Sequence, residues 1–336
     1  MLASSTNLST LEGDIFVIKL DADGNIQWQN LYGSPASVER ARSIRETATG
    51  EYLIAGTSNG NGGEAIVLKL TALGVPNLQL GFPTLDDATA IRPTSDGGSI
   101  VAGTTISIGA GNQDAWAMKL MPDGTVDWQF TYGTLSTETA VDIETTPDGG
   151  YALFGQIVTT QFHLWAVKLL ADGSIDWQKI FGGGSPDFAG SMRVMANGNY
   201  ALAGGTASFG TNFTADGWFI ELDGLGGILT QIAYGAKGND QFFAIEPTLD
   251  LGFALAGLTT SFGVPGLAGD TWFLKIDNLG NVGGMCTVQN TTPAIATDSS
   301  AAAIIAADLG SVRAFTTTAN TAMPVADPVT TATQCQ

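Results

Sequence analysis

One unit of sequence, present six times, constrains this chain more than anything else in it. The stretch Asp114 to Gly133, DAWAMKLMPDGTVDWQFTYG, has counterparts that begin at Asp14, Glu64, Leu164, Asp216 and Asp270. A charged residue aligns all six copies: Lys19, Lys69, Lys119, Lys168, Glu221 and Lys275, spaced 50, 50, 49, 53 and 54 residues apart. A fixed period near 50 with strand-like content marks a propeller or related array, in which one unit cannot bury its own apolar face and neighbours must stack. Residues 1–336 therefore read as one cooperative domain, with repeats over 1–285 and a closing tail over 286–336.

Period-two patterns and Gly or Asp punctuation divide each repeat into four short strands, A to D. Strand A appears as ARSIRETATG (from Ala41) and ATAIRPTSDGG (from Ala88), strand B as SIVAGTT (from Ser99) and YALAGGT (from Tyr200). Strand C is the opening motif, apolar on both faces as a strand between packed sheets would be. Strand D follows an Asp-Gly turn, as at Asp23-Gly24, Asp123-Gly124 and Asp172-Gly173, and carries Trp28, Trp128 and Trp177. The segment Ala301 to Gly310, AAAIIAADLG, matches ARSIRETATG at its first Ala, its Ile and its closing Gly. This match predicts a last inner A strand near residues 301–309, supplied to a first blade whose C and D strands come from the N-terminus, with Met1 to Ser5 a candidate for its B strand. The expected fold is all-β, a six-bladed β-propeller of four-stranded blades whose ring is closed by strands from both termini, leaving no exposed sheet edge.

The combined pattern D-x-W-x-x-K-L-x-x-D-G-x-x-x-W-Q-x-x-Y-G followed by A-x-x-I-x-x-T-x-D-G-G-Y-x-x-A-G-x-T resembles the extracellular β-propeller repeats of bacteria and archaea that are described as seven-bladed propeller repeats. The resemblance covers most of the chain, which offers six countable copies. It implies a secreted or cell-surface propeller with no family-wide catalytic residues.

Charge narrows the partners. Lys plus Arg number 13 against 32 Asp plus Glu, for a net charge of −19, so phosphate backbones and anionic membrane surfaces are repelled. No run approaches 18 consecutive apolar residues, so no membrane insertion is expected. The opening MLASSTNLST has neither a basic nor an apolar signal region and reads as a mature or trimmed chain lacking its exporting segment. The two cysteines, Cys286 and Cys335, bracket the tail and read as a disulfide, which would place the protein in an oxidising compartment. A monomer is expected.

Little in the sequence carries chemistry. The one histidine, His163, opens a C strand where most copies have an acid, and a lone His builds no ordinary zinc or copper site. An acid stands just ahead of each A strand, at Glu39, Asp86, Glu138, Asp187 and Asp240. If A strands line a channel, these form a ring that could collect Ca²⁺, a cation of many oxygen ligands; alternatively each carboxylate accepts N–H bonds from its own loop. No other cofactor is expected. The longest loops join B to C, and Phe162, Phe209, Phe213 and Phe262 in them could anchor a protein or stack on a sugar. The resulting expectation is a non-catalytic binding or structural module at a cell surface, its partner a protein or glycan. The alternatives are a lectin-like propeller and a hydrolase or lyase using two neighbouring carboxylates.

Overall fold

The computed structural model describes residues 2–7, 13–34, 37–60, 63–210, 214–262 and 269–282, and five short strands between 290 and 319; Leu2–Asn7 and everything from 290 onward are described by backbone alone. Cys286, Cys335 and Phe213 lie outside the described residues, and with them the expected disulfide. Among the described residues there is no helical element, and therefore no helix long and apolar enough to cross a membrane.

The strands form six antiparallel sheets. The first holds β1 (Leu2–Asn7), β2 (Gly13–Leu20) and β3 (Ile26–Gly33). The second holds β4 (Glu39–Glu46), β5 (Tyr52–Ser58), β6 (Glu64–Leu70) and β7 (Pro76–Phe82), and the third β8 (Asp87–Pro93), β9 (Ser99–Thr105), β10 (Asp114–Leu120) and β11 (Val126–Gly133). In the fourth are β12 (Thr137–Thr145), β13 (Tyr151–Val158), β14 (Phe162–Leu169) and β15 (Ile175–Gly182); in the fifth β16 (Asp187–Val194), β17 (Tyr200–Thr206), β18 (Asp216–Leu222) and β19 (Ile228–Tyr234). The sixth holds β20 (Asp240–Pro247), β21 (Phe253–Thr259) and β22 (Asp270–Ile276). Within a sheet, strands pair in chain order, so the A-B-C-D reading holds: four sheets carry all four, the first carries B to D and the sixth A to C. Such repeated antiparallel sheets make a propeller-like fold.

Two local rules recur. Every A strand carries a register shift at one place, between Ala41 and Ser43, Ala88 and Ala90, Ala140 and Asp142, Ala189 and Ser191, and Phe242 and Ala244. A bulge there sends following residues to the other face, which period-two reading alone does not anticipate. The C strands of the second to fifth sheets are buried along most of their length, as in EAIVLKL and DAWAMKL, because apolar side chains are covered on both faces.

The chain divides into two compact units, Met1–Leu135 with Ala302–Asp327, and Ser136–Ala301 with Pro328–Gln336. In the first, β4 lies across β1 and β2, and β8 lies across β4, β5 and β6. In the second, β16 lies across β12, β13 and β14, and β20 across β16, β17 and β18. Each of these four A strands thus covers the face of the sheet before it. The cores sit between consecutive sheets, with Trp116, Met118 and Leu120 facing Leu53, Ala55 and Val67 in one unit, and Trp218 and Ile220 facing Phe154 and Leu164 in the other.

The tail departs from expectation. Ala302–Ile305 is β25, but it pairs with β11, a D strand, and is not an inner A strand. The match to ARSIRETATG rested on Ala, Ile and Gly, three common residues that fit an edge strand equally well. Nor does a tail strand complete the first sheet beside β1: β27 (Thr316–Ala319) adds to its opposite edge, at β3. The expected closure, in which the tail supplies the missing A strand, is therefore not how the described tail strands are used.

Candidate functional site

The acids ahead of the A strands are built into clips with the loops that follow strand B. Asp240 accepts from the Thr259 hydroxyl at 2.5 Å, the Ser261 hydroxyl at 2.5 Å and the Ala236 amide at 3.2 Å. Asp187 accepts from Thr206 Oγ1 at 2.5 Å, Ser208 Oγ at 2.8 Å and the Gly183 amide at 3.1 Å. Asp86 takes Thr105 Oγ1 at 2.7 Å, Ser107 Oγ at 3.0 Å and the Ile106 amide at 2.8 Å. Glu39, longer by one methylene, reaches Ser58 Oγ at 3.1 Å, the Ser37 hydroxyl and the Ser34 amide at 3.4 Å. The spacing is constant, with a hydroxyl 19 residues after the acid and, in three copies, a second at 21. That Thr-x-Ser echo at Thr105-Ser107, Thr206-Ser208 and Thr259-Ser261 was visible in the sequence, but only the fold shows what it binds.

These hydrogen bonds are of the kind the loop-accepting alternative expects. Glu39, Glu138, Asp187 and Asp240 are buried, and among the described residues no three His, Cys, Asp or Glu side chains gather in a group that could hold a metal ion. Carboxylates that accept two or three donors in their own loop are already satisfied as hydrogen-bond acceptors.

Three of the clips also meet the residue at the start of the preceding C strand, over the glycine at the end of strand D. A Cβ on Gly235 would collide with both Asp216 and Asp240; on Gly33 it would meet Asp14 and Glu39, and on Gly182 His163 and Asp187. Close approach of two side chains requires glycine there. His163, an unremarkable loop residue by sequence, is buried, and its Nδ1 lies 3.5 Å from Asp187 Oδ2.

The aligning lysines have a different task. Lys119, Lys168 and Lys275 each reach the aspartate of the A-to-B turn, Asp96, Asp148 and Asp250, at 2.8 to 2.9 Å, and donate to the carbonyl of the residue that follows them. Burial alone would raise the Asp96 carboxyl, but the Lys119 ammonium, the Thr94 hydroxyl and the Gly98 amide outweigh it and hold it down at about 2. Two copies change the partners together. Lys69 pairs with Glu51 at 2.9 Å, and Glu221, which stands in the lysine position, accepts from Asn199 Nδ2 at 3.1 Å. Glu51 and Asn199 occupy the place of Gly98, Gly150 and Gly252, where a Cβ would collide with the ammonium group.

Two features of the A strands and D strands were missed or only half read. Arg193 joins three A strands of the second unit, contacting Asp142 at 3.3 Å, Glu144 at 3.2 Å and Glu246 at 2.9 Å. The residue after the A-strand Ile or Met is Arg45, Arg92, Glu144, Arg193 and Glu246 in successive copies, a charge alternation that could have pointed to it. The D-strand tryptophans dock on the next sheet: Trp28 Nε1 donates to Ala72 O at 3.1 Å and Trp177 Nε1 to Gly224 O at 3.2 Å, both in C-to-D turns.

The three described loop aromatics each rest on a different ring. Phe209 leans on Trp218 with ring centres 5.3 Å apart, and Phe262 on Trp272 at 5.8 Å. Each has its amide on the Thr of its clip, at 3.2 and 3.1 Å, so ring and loop are held together. Phe162 is exposed and stacks on Phe188 at 6.3 Å.

No family model matches the chain, and no curated protein matches it. Among solved structures, it is similar to a protein of unknown function from Bacteroides caccae, with 14% identity and a TM-score of 0.53 over 86% of this chain and 93% of that one. A candidate exo-beta-1,3-galactanase from Bifidobacterium bifidum s17 aligns at 12% identity and a TM-score of 0.42, over 84% of this chain and 95% of the other. The first of these is a likeness of fold.

Proposed function

We propose that the six sheets are the blades of a six-bladed β-propeller, and that it serves as a non-catalytic binding module at a cell surface or outside the cell. The observation that carries this reading is the clip. In at least four copies the acid beside the B-to-C loop is spent on hydroxyl and amide donors of its own loop, so it braces a loop and is poorly placed to act on a substrate. Braced loops on a rigid sheet scaffold suit recognition. The extracellular placement rests on the resemblance of the repeats. The partner class follows from net charge and from Phe162, an exposed aromatic suited to a glycan or an apolar protein anchor. A glycan array and a panel of immobilised surface proteins, probed with the chain and with Phe162→Ala, test it. Binding weakened about tenfold or more by the substitution supports the module. Glycan turnover abolished by Asp240→Asn, with the fold intact, would overturn it in favour of a carboxylate enzyme.

A further inference from the structure

Five separate stretches of the tail pair with five D strands, and all land within the last four residues of the strand, three of them reaching its terminal glycine. In β24 (Ile295–Asp298), Ile295 lies opposite Gly182 of β15; in β25, Ala302 lies opposite Gly133 of β11. In β26 (Ser311–Val312), Ser311 lies opposite Gly81 of β7, and in β27 Thr316 lies opposite Gly33 of β3. β23 (Asn290–Thr291) joins β19 two residues short of the equivalent Gly235. The visits run in reverse chain order, from the fifth sheet to the first, and every pairing is antiparallel. Five visits to the same end of a D strand, three of them in identical register, argue for a built feature. Each visit is strand pairing at the D-strand edge of its sheet, made by a segment of small and β-branched residues. The pairing takes at most the last four residues of a D strand. The first residues of these strands, Val126–Asp127 and Ile175–Asp176, have no tail partner among the described residues.

We propose that the tail strands β23 to β27 are a built-in edge cover, and that the D-strand edges they occupy are otherwise sites at which a second copy of this chain would pair its own D-strand edge. An open row of N–H and C=O groups is a template for another strand, and net charge alone does not protect an edge locally.

The test uses the full chain. Hydrogen–deuterium exchange should find the outward amides of Phe130–Gly133 and Lys179–Gly182 at least about tenfold slower than those of Val126–Asp127 and Ile175–Asp176, an internal control on the same strands. The double variant Ala303→Pro with Ile304→Pro places prolines at two adjacent positions, one of which directs its N–H at β11, and should raise exchange at Phe130–Gly133 while leaving Lys179–Gly182 unchanged. Sedimentation of this variant should show concentration-dependent association absent from the parent. Equal exchange at the two ends of the D strands would overturn the cover. Faster exchange without association would overturn the claim that these edges pair between copies, and association with unchanged exchange would place it at some other surface and overturn the same claim.

Discussion

The fifth and sixth sheets carry the same residues in the same register, yet they live in different surroundings. In the fifth, Ala201 and Ala203 of β17 pair with Glu221 and Phe219 of β18; in the sixth, Ala254 and Ala256 of β21 pair with Lys275 and Phe273 of β22. Phe219 is 1% exposed, its ring 5.1 Å from that of Phe253, because the sixth sheet lies over it. Phe273 is 76% exposed, and Leu258, Leu249 and Leu251 beside or near that face are exposed too. Local sequence is nearly constant between the two, so the difference belongs to the neighbour. In a stacked array a repeat's stability comes from the interface as much as from itself, and an apolar face of this chemistry is an unfilled copy of an interface used earlier in the same unit.

Substitution at the two phenylalanines should break the comparison most sharply. Phe219→Ala removes a ring packed among Ala203, Phe253 and Ile245, and is expected to cost about 3–5 kcal/mol. Phe273→Ala should change stability by less than about 0.5 kcal/mol. Urea unfolding of both variants checks this. Equal losses would mean that something covers the sixth sheet in solution.

The lysine pairs should give a smaller contrast. Lys168 is 4% exposed and Lys275 47%, although each meets its aspartate at 2.9 Å. Asp148→Ala leaves a buried ammonium with the Leu169 carbonyl alone among the partners named, a loss of about 1–3 kcal/mol. Asp250→Ala, in a solvated pair, should leave the melting temperature nearly unchanged. The pH dependence has a definite sign. Burial would raise the Asp148 carboxyl, but Thr146, Lys168 and the Gly150 amide hold it at about 2. A carboxyl lowered on folding adds stability that is present above its unfolded value, near 4, and is lost as pH falls toward 2. Melting temperature should therefore fall across that window in the parent and fall less in Asp148→Ala; identical slopes would remove Lys168 as the cause.

What could be read from sequence divides along physical lines. Strand C, the Asp-Gly turns and the aligning lysines were legible because each needs particular side chains at fixed spacing. Even the exception was consistent, since Glu221 coincides with Asn197 and Asn199 where other copies have Asp and Gly. The clips were half legible: the acids stood out, but their partners lie 19 and 21 residues on, and an acid ahead of a strand looks alike whether it meets a metal or a serine. The tail was misread because edge pairing runs through the backbone and demands no landmark residue. Ala302–Ile305 satisfies an A-strand pattern and a D-edge pairing equally, and only the register with Phe130–Gly133 decides between them.

The smallest effect separates the A-to-B turns. Gly50, Gly97, Gly149 and Gly198 take φ between 79° and 85°, and each donates its amide to the carbonyl three residues back. The sixth sheet makes the same turn, with Leu251 N on Thr248 O at 3.0 Å, but with a leucine at φ 67°. A left-handed backbone is unfavourable for a side chain with a Cβ, by roughly 1 kcal/mol. The Leu251 side chain is exposed, so little packing offsets this. Leu251→Gly should then stabilise by up to about 1 kcal/mol, the relief of strain being partly cancelled by the greater freedom of glycine in the unfolded chain. Gly198→Ala, whose new Cβ meets no atom within 4 Å, should destabilise by a similar amount through backbone strain alone. Matched thermal melts of the two variants isolate the turn from its surroundings. A loss of stability in Leu251→Gly would show that the exposed leucine makes a contact in solution, and would place Leu251 with Phe273 on a covered face.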